Sequence, residues 1–189
     1  MDSKDLNKDN IVDFILELFE RRGAEAYMGE SVSMSQHMEQ TAACATADGA
    51  SDELVIGALL HDVGHFVGDF PIDALDNGIN NLHDEIGAKF LSAYFPPSVT
   101  EPIHLHVAAK KYLCVVDENY IKRLSSASVN SLSVQGGPMT KEEIGGFEAN
   151  PYHLSAVKIR GYDDDGKIAG LEIKPVKSYR DQLESILLT

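Results

Sequence analysis

Tryptophan is absent from these 189 residues, cysteine occurs twice, and positive charge is scarce. Lys plus Arg number 16 against 30 Asp plus Glu, a formal net charge of −14. A surface so short of cations does not suit nucleic acid, whose phosphates call for a basic face, nor an anionic membrane, so neither is expected as a partner. No run approaches the ~18–20 apolar residues needed to span a bilayer. The opening MDSKDLNKDN is polar and acidic and does not read as a signal peptide. Cys44 and Cys114 are too few for a disulfide framework. Free thiols with a packing role, and a cytoplasmic setting, are the expectation.

What is present is an ordinary globular mixture, 43% apolar and 24% charged. One domain over 1–189 is expected, with about residues 1–10 loose and a C-terminal helix over about 178–189. Ile11, Phe14, Ile15, Leu18 and Phe19 keep helical spacing up to Gly23. Residues 24–34 read as a loop, with a second helix from about Ser35 to before Gly49. Ser51 or Asp52 caps a third helix directed towards His65. Residues 66–81 read as loop, and His83 to Tyr94 as a helix closed by Pro96-Pro97. Pro102 is expected to start the helix bearing His104 to Leu113, and Asp117 the next, through Tyr120 and Leu124. Thr140 and Glu143 form a capping box. A helix near 150–160 leads into an Asp163-Asp164-Asp165-Gly166 turn, and Leu183, Ile186 and Leu187 share a face after Ser178. Strand signals are few, so the fold class expected is all-α, one helical bundle.

Seven histidines are present, five of them between His61 and His106. His61-Asp62 ends the apolar run Leu54–Leu60, so both side chains sit at the floor of the core. An imidazole and a carboxylate there suit Mn, Fe, Co or Zn. An HD pair alone is weak, because capping Asp residues beside surface His residues are common. His37, His83 and His106 strengthen it, each on a different expected helix, as ligands are when a bundle interior holds a metal. His65 follows His61 by four, and Lys110 follows His106 by four on one face. Lys110-Lys111 also reads as a solvated face, Ser128 lies in a Ser-rich run, and Gly136-Gly137-Pro138 reads as a turn. The acidic run leaves Asp163 and Asp164 both open as ligands.

His37, His61-Asp62 and Asp163 resemble the H…HD…D pattern of the HD-domain superfamily, whose members are all-α and mostly metal-dependent phosphohydrolases. More narrowly, the chain resembles the HD-domain mixed-valent di-iron oxygenases, relatives of myo-inositol oxygenase, and in particular the 2-amino-1-hydroxyethylphosphonate dioxygenases. The matching residues are Tyr27-Met28-Gly29-Glu30, His37, Ala58 to His65, His83, His106 to Cys114, Ser128, Gln135 to Met139, Arg160, Tyr162-Asp163-Asp164 and Lys167. The likeness covers about residues 10–170; HVAAKKYLC and LSVQGGPM are its specific blocks. Gly161-Tyr162 departs from the group, which has a basic residue and Trp there.

The resemblance implies two irons, Fe(II)/Fe(III), with O2 as co-substrate. One iron would be held by His37, His61, Asp62 and Asp163, where spacing to Lys167 selects Asp163. The other would be held by Asp62, His83 and His106, with Asp62 bridging. Asp62, His65 and Lys110 are the catalytic residues it implies. Tyr27, Glu30, His65, Lys110, Ser128, Gln135 and Arg160 are the substrate-binding ones. Glu30 would pair with a substrate ammonium, and Tyr27 would occupy an iron position until substrate displaces it. The expected reaction is oxidative C–P cleavage of a small organophosphonate, a 1-hydroxy-2-aminoethylphosphonate, to phosphate and glycine. The N-trimethyl analogue and a conventional phosphohydrolase are the alternatives. A monomer or weak homodimer is expected.

Overall fold

Apolar periodicity and helix caps account for most of the eleven α-helices among the described residues. The computed structural model describes residues 5–27, 29–68 and 78–189. Residues 1–4 of the expected loose start, Met28 of the Tyr27–Glu30 block and 69–77 of the expected loop lie outside the described residues.

α1 (Ile11–Arg22) buries Ile11, Phe14, Ile15, Leu18 and Phe19, the stripe its spacing predicts. α2 (Met34–Ala47) starts one residue before the expected Ser35. Its N-cap is Ser33, which forms a capping box with Gln36. α3 (Asp52–Leu60), capped by Ser51, is buried from Leu54 to Leu60 on all sides. It packs against α2, α6 (Pro97–Val116) and α10 (His153–Asp165), and these four helices form the body around the site. α4 (Gly64–Val67) and α5 (His83–Leu91) pack on one another, and α5 lies along α6. α7 (Tyr120–Arg123), α8 (Ser126–Val134) and α9 (Lys141–Glu148, with the Thr140–Glu143 capping box) follow. A 3-10 turn (Val176–Tyr179) and α11 (Arg180–Ser185) close the chain, with Leu183 buried. Ile186 and Leu187 pack on the same core just past α11. No helix among the described residues is long and apolar enough to cross a membrane.

Three expectations need correction. The third helix does not continue to His65: it stops at Leu60, and α4 starts afresh at Gly64. At the stop, His61 Nδ1 meets the Ala58 carbonyl at 2.8 Å, taking up one of the carbonyls a helix end leaves free. Pro102 does not start a helix. Pro97 does, at the first position, and Pro102 is buried one and a half turns inside α6. The acidic run is not a turn but the last turn of α10. Arg160 pairs with Asp163 and Asp164 at i+3 and i+4, which offsets the repulsion within the run. α8 has no counterpart in the sequence reading; its signal is the N-cap Ser125, whose hydroxyl accepts from Ser128 N–H.

Candidate metal centre

The six inward side chains come from five different elements. His37 lies on α2, His61 and Asp62 in the turn after α3, His83 at the start of α5, His106 midway along α6, and Asp163 in the last turn of α10. All six are buried.

Their partners fix what the rings can offer. Nδ1 of His37, His61 and His106 lies 2.9, 2.8 and 2.7 Å from the carbonyls of Gly166, Ala58 and Ile103. A carbonyl only accepts, so each Nδ1 carries a proton, and in the neutral ring Nε2 is left with a lone pair. His37 and His61 turn these Nε2 atoms on each other at 3.1 Å, and His83 and His106 do so at 3.2 Å. Two facing lone pairs repel unless a proton or a metal sits between them. Asp62 serves both pairs. Its Oδ2 lies 3.5 and 3.3 Å from Nε2 of His37 and His61, and its Oδ1 3.3 and 3.7 Å from those of His83 and His106. Asp163 Oδ1 adds itself 3.4 Å from His37 Nε2.

The residues fit a metal. Asp62 Oδ2 and Asp163 Oδ1 are buried and accept no hydrogen bond. Lys167 Nζ approaches Asp163 Oδ1 to 3.2 Å without hydrogen-bonding geometry. Buried carboxylate oxygens without donors are costly unless a cation compensates them. His37, His61 and Asp62 form one group of convergent donors, and Asp62, His83 and His106 another. Nitrogen and oxygen donors of this kind suit borderline first-row metals.

Electrostatics sharpen the contrast between the two sides. Burial pushes the His61 ring down, but Asp62 and Asp163 overcome this and leave it raised. Burial, reinforced by His61, pushes His106 down to about 4, and burial with His65 depresses His83. Burial would raise Asp62, yet the surrounding rings hold it well below the usual carboxylate range.

A cavity opens beside Asp62, His83, His106 and Asp163. Six of the seven residues expected to contact substrate line it: Tyr27, Glu30, Lys110, Ser128, Gln135 and Arg160. His65 does not; its ring stacks on His83 at 4.3 Å, with Nε2 4.0 Å from Asp62 Oδ1. Tyr27 stacks on His37 at 3.9 Å, and its hydroxyl is held protonated by burial and then by Asp62. Glu30 accepts a 2.5 Å hydrogen bond from Ser125. Lys110 is buried, donates to Ser131 at 2.8 Å, and is lowered to about 7 by burial and then by Arg160. Arg160 donates to Asp163 Oδ2 (2.7 Å), Tyr120 Oη (2.8 Å) and Asp164, and its Nη2 lies 3.5 Å from Ser128. Gln135 Oε1 has no donor.

Sequence reasoning missed four residues here: Asn81, Tyr120, Ser125 and Ser131. Only Ser125 carried a readable signal, as a cap. The approach to His83 is also strained, because Leu82 sits in the left-handed region at φ 49. For a leucine this costs about 1–2 kcal/mol.

The profile of the HD-domain family matches residues 28–114. A [1-hydroxy-2-(trimethylamino)ethyl]phosphonate dioxygenase (glycine-betaine-forming) of Leisingera caerulea is 45% identical over 171 residues, covering 90% of this chain and 87% of that protein. A hydroxymethylphosphonate dioxygenase of Gimesia maris is 40% identical over 178 residues, 92% of this chain and 86% of that protein.

Proposed function

The chain belongs to the HD-domain family, in the branch that holds the phosphonate dioxygenases, and we propose that it is a di-iron oxygenase cleaving the C–P bond of 2-amino-1-hydroxyethylphosphonate. One O2 would be consumed for each phosphate and glycine formed. One observation carries the reading: Asp62 offers one oxygen to each of two converging imidazole pairs at the floor of the cavity.

His37, His61, Asp62 and Asp163 would hold one iron, and Asp62, His83 and His106 the other. When bound, such a pair supplies an O2-binding position and the electron-transfer chemistry that breaks the C–H and C–P bonds. The protein's own groups bind and orient the substrate. Lys110 and Ser128 face one side of the cavity and donate to the phosphonate oxygens, with the edge of Arg160 beside them. Gln135 turns its free Oε1 to the substrate hydroxyl. Glu30, held by Ser125, accepts from the ammonium. Tyr27 keeps its proton and covers His37 against water. His65 stacks on His83 and places its Nε2 edge 4.0 Å from Asp62 Oδ1, without a hydrogen bond to it. The proposal places the enzyme in the cytoplasm as a monomer or weak homodimer.

The name of the Leisingera relative favours a second reading, the N-trimethyl substrate. That cation has no N–H and is best held by aromatic faces. Tyr27 is the one Phe, Tyr or Trp among the described residues lining the cavity, which supports the primary amine. An oxygen electrode with phosphate and glycine assays, run on the amino, trimethylamino and unsubstituted hydroxyphosphonates, tests both. The expected result is 1:1 O2 uptake and phosphate release, fastest with the primary amine. Equal phosphate release without O2 would identify a phosphohydrolase and end the proposal.

A further inference from the structure

The stacked rings of His65 and His83 share one neighbour that the reaction scheme above does not use. The carboxamide of Asn81 lies between their Nδ1 atoms, with Oδ1 2.9 Å from His83 Nδ1 and Nδ2 3.3 Å from His65 Nδ1. An amide oxygen accepts and an amide nitrogen donates, so the two rings meet opposite partners. His83 therefore carries its proton on Nδ1, and its Nε2 lone pair faces His106 at 3.2 Å and Asp62 at 3.3 Å. His65 presents a lone pair on Nδ1 instead. Its proton sits on Nε2, 4.0 Å from Asp62 Oδ1.

We infer that Asn81 is a positioning residue that sorts two adjacent imidazoles into different roles, making His83 a metal ligand and leaving His65 with its Nε2 protonated, unpartnered and unable to ligate. The word ligand rests on the dinuclear reading above; the placement of the two protons does not. His65, half-buried and 4.0 Å from Asp62 Oδ1, stays outside both groups of convergent donors. It also singles out His83. The other three histidines of these groups are oriented by main-chain carbonyls, whereas His83 is oriented by a side chain. The backbone supports the arrangement. Leu82, between the two residues, is held at φ 49 and ψ 36, and its N–H donates to Asn80 Oδ1 at 3.2 Å. Such a bend brings side chains two residues apart into contact, and a leucine keeps it only where the surroundings over-determine it.

Two-bond 1H–15N spectra of the metal-free protein read which nitrogen of each ring bears the proton, with His65→Gln and His83→Gln assigning the signals. The expected pattern is a proton on Nδ1 of His83 and on Nε2 of His65. Asn81→Asp keeps the acceptor for His83 but removes the donor to His65, so the proton of His65 alone should move to Nδ1. Calorimetry with Mn2+ gives an independent reading. Asn81→Ala should weaken the second of two binding events about 10–100-fold and spare the first, while Asn81→Asp keeps both. The same tautomer on both rings, or an unmoved His65 proton in Asn81→Asp, overturns the inference. Failure of the unaltered protein to bind two Mn2+ would count against the dinuclear reading instead, and the ring spectra would still decide the role of Asn81.

Discussion

Replacing Gly64 by alanine should remove one metal position while leaving the fold standing. A Cβ at Gly64 would lie 1.9 Å from the His83 carbonyl oxygen, 2.7 Å from its carbon and 3.0 Å from Gly87 N. All three are main-chain atoms of α5, so no rotamer change relieves the clash. Reaching even 3.0 Å from the oxygen requires α4 and α5 to separate by about 1.1 Å. Gly64 lies two residues after Asp62 and His83 begins α5, so the displacement falls on the 3.3 Å approach of His83 Nε2 to Asp62 Oδ1. Metal–ligand distances tolerate only about ±0.2 Å. The His83–His106 position should lose at least about tenfold in affinity, giving one metal per chain after dialysis and no oxygenase turnover. Overpacking of about 1–3 kcal/mol should lower the melting temperature by several degrees without abolishing the cooperative transition. Gly161→Ala is the control, because a Cβ there meets nothing within 4 Å. It should keep two metals and melt no lower. Two metals bound to Gly64→Ala with unaltered affinity would refute the claim that the α4–α5 contact sets the site.

Three further outcomes follow from the site and the core. Lys110 is lowered to about 7 from 10.5, so it is charged below that pH and neutral above it. KM for the phosphonate should rise above about pH 7 in the unaltered enzyme but not in Lys110→Arg, whose charge persists; indistinguishable KM profiles would contradict the role. Glu30→Gln removes a charge-assisted acceptor for the ammonium, so KM for the aminophosphonate should rise about 10–100-fold while phosphonates without an amine lose little; a uniform loss across substrates would place Glu30 elsewhere. Leu183→Ala opens a hole under α11, where the side chain is fully buried. A loss of about 2–5 kcal/mol by calorimetry is expected, with the metal content unchanged.

Much of this was legible in the chain because local physics and function agreed there. The α1 stripe from Ile11 to Phe19 has one buried face, and the Thr140–Glu143 box announces α9. The α3–α4 break was not legible, because Leu54 to Leu60 are buried on every side and leave no period to show where the helix stops. The stop depends on the His61 ring meeting the Ala58 carbonyl, a side-chain choice that spacing does not encode. The helical state of Asp163 to Asp165 depends on Arg160, and a run of acids reads as a turn until that partner is seen. At the site, histidines on separate helices pointed to the candidate ligands, and the HVAAKKYLC and LSVQGGPM blocks showed the family. Asn81 could not be found this way. Its importance lies in a contact with His65, sixteen residues away, that no spacing rule predicts.

Anomalous diffraction at the iron edge, from crystals of protein loaded with iron, puts the central claim to its most direct test. Two peaks are predicted on either side of the Asp62 carboxylate, one within about 2.0–2.3 Å of ligand atoms from His37 and His61, the other equally close to His83 and His106. A single peak, or one bonded to neither oxygen of Asp62, would contradict the account.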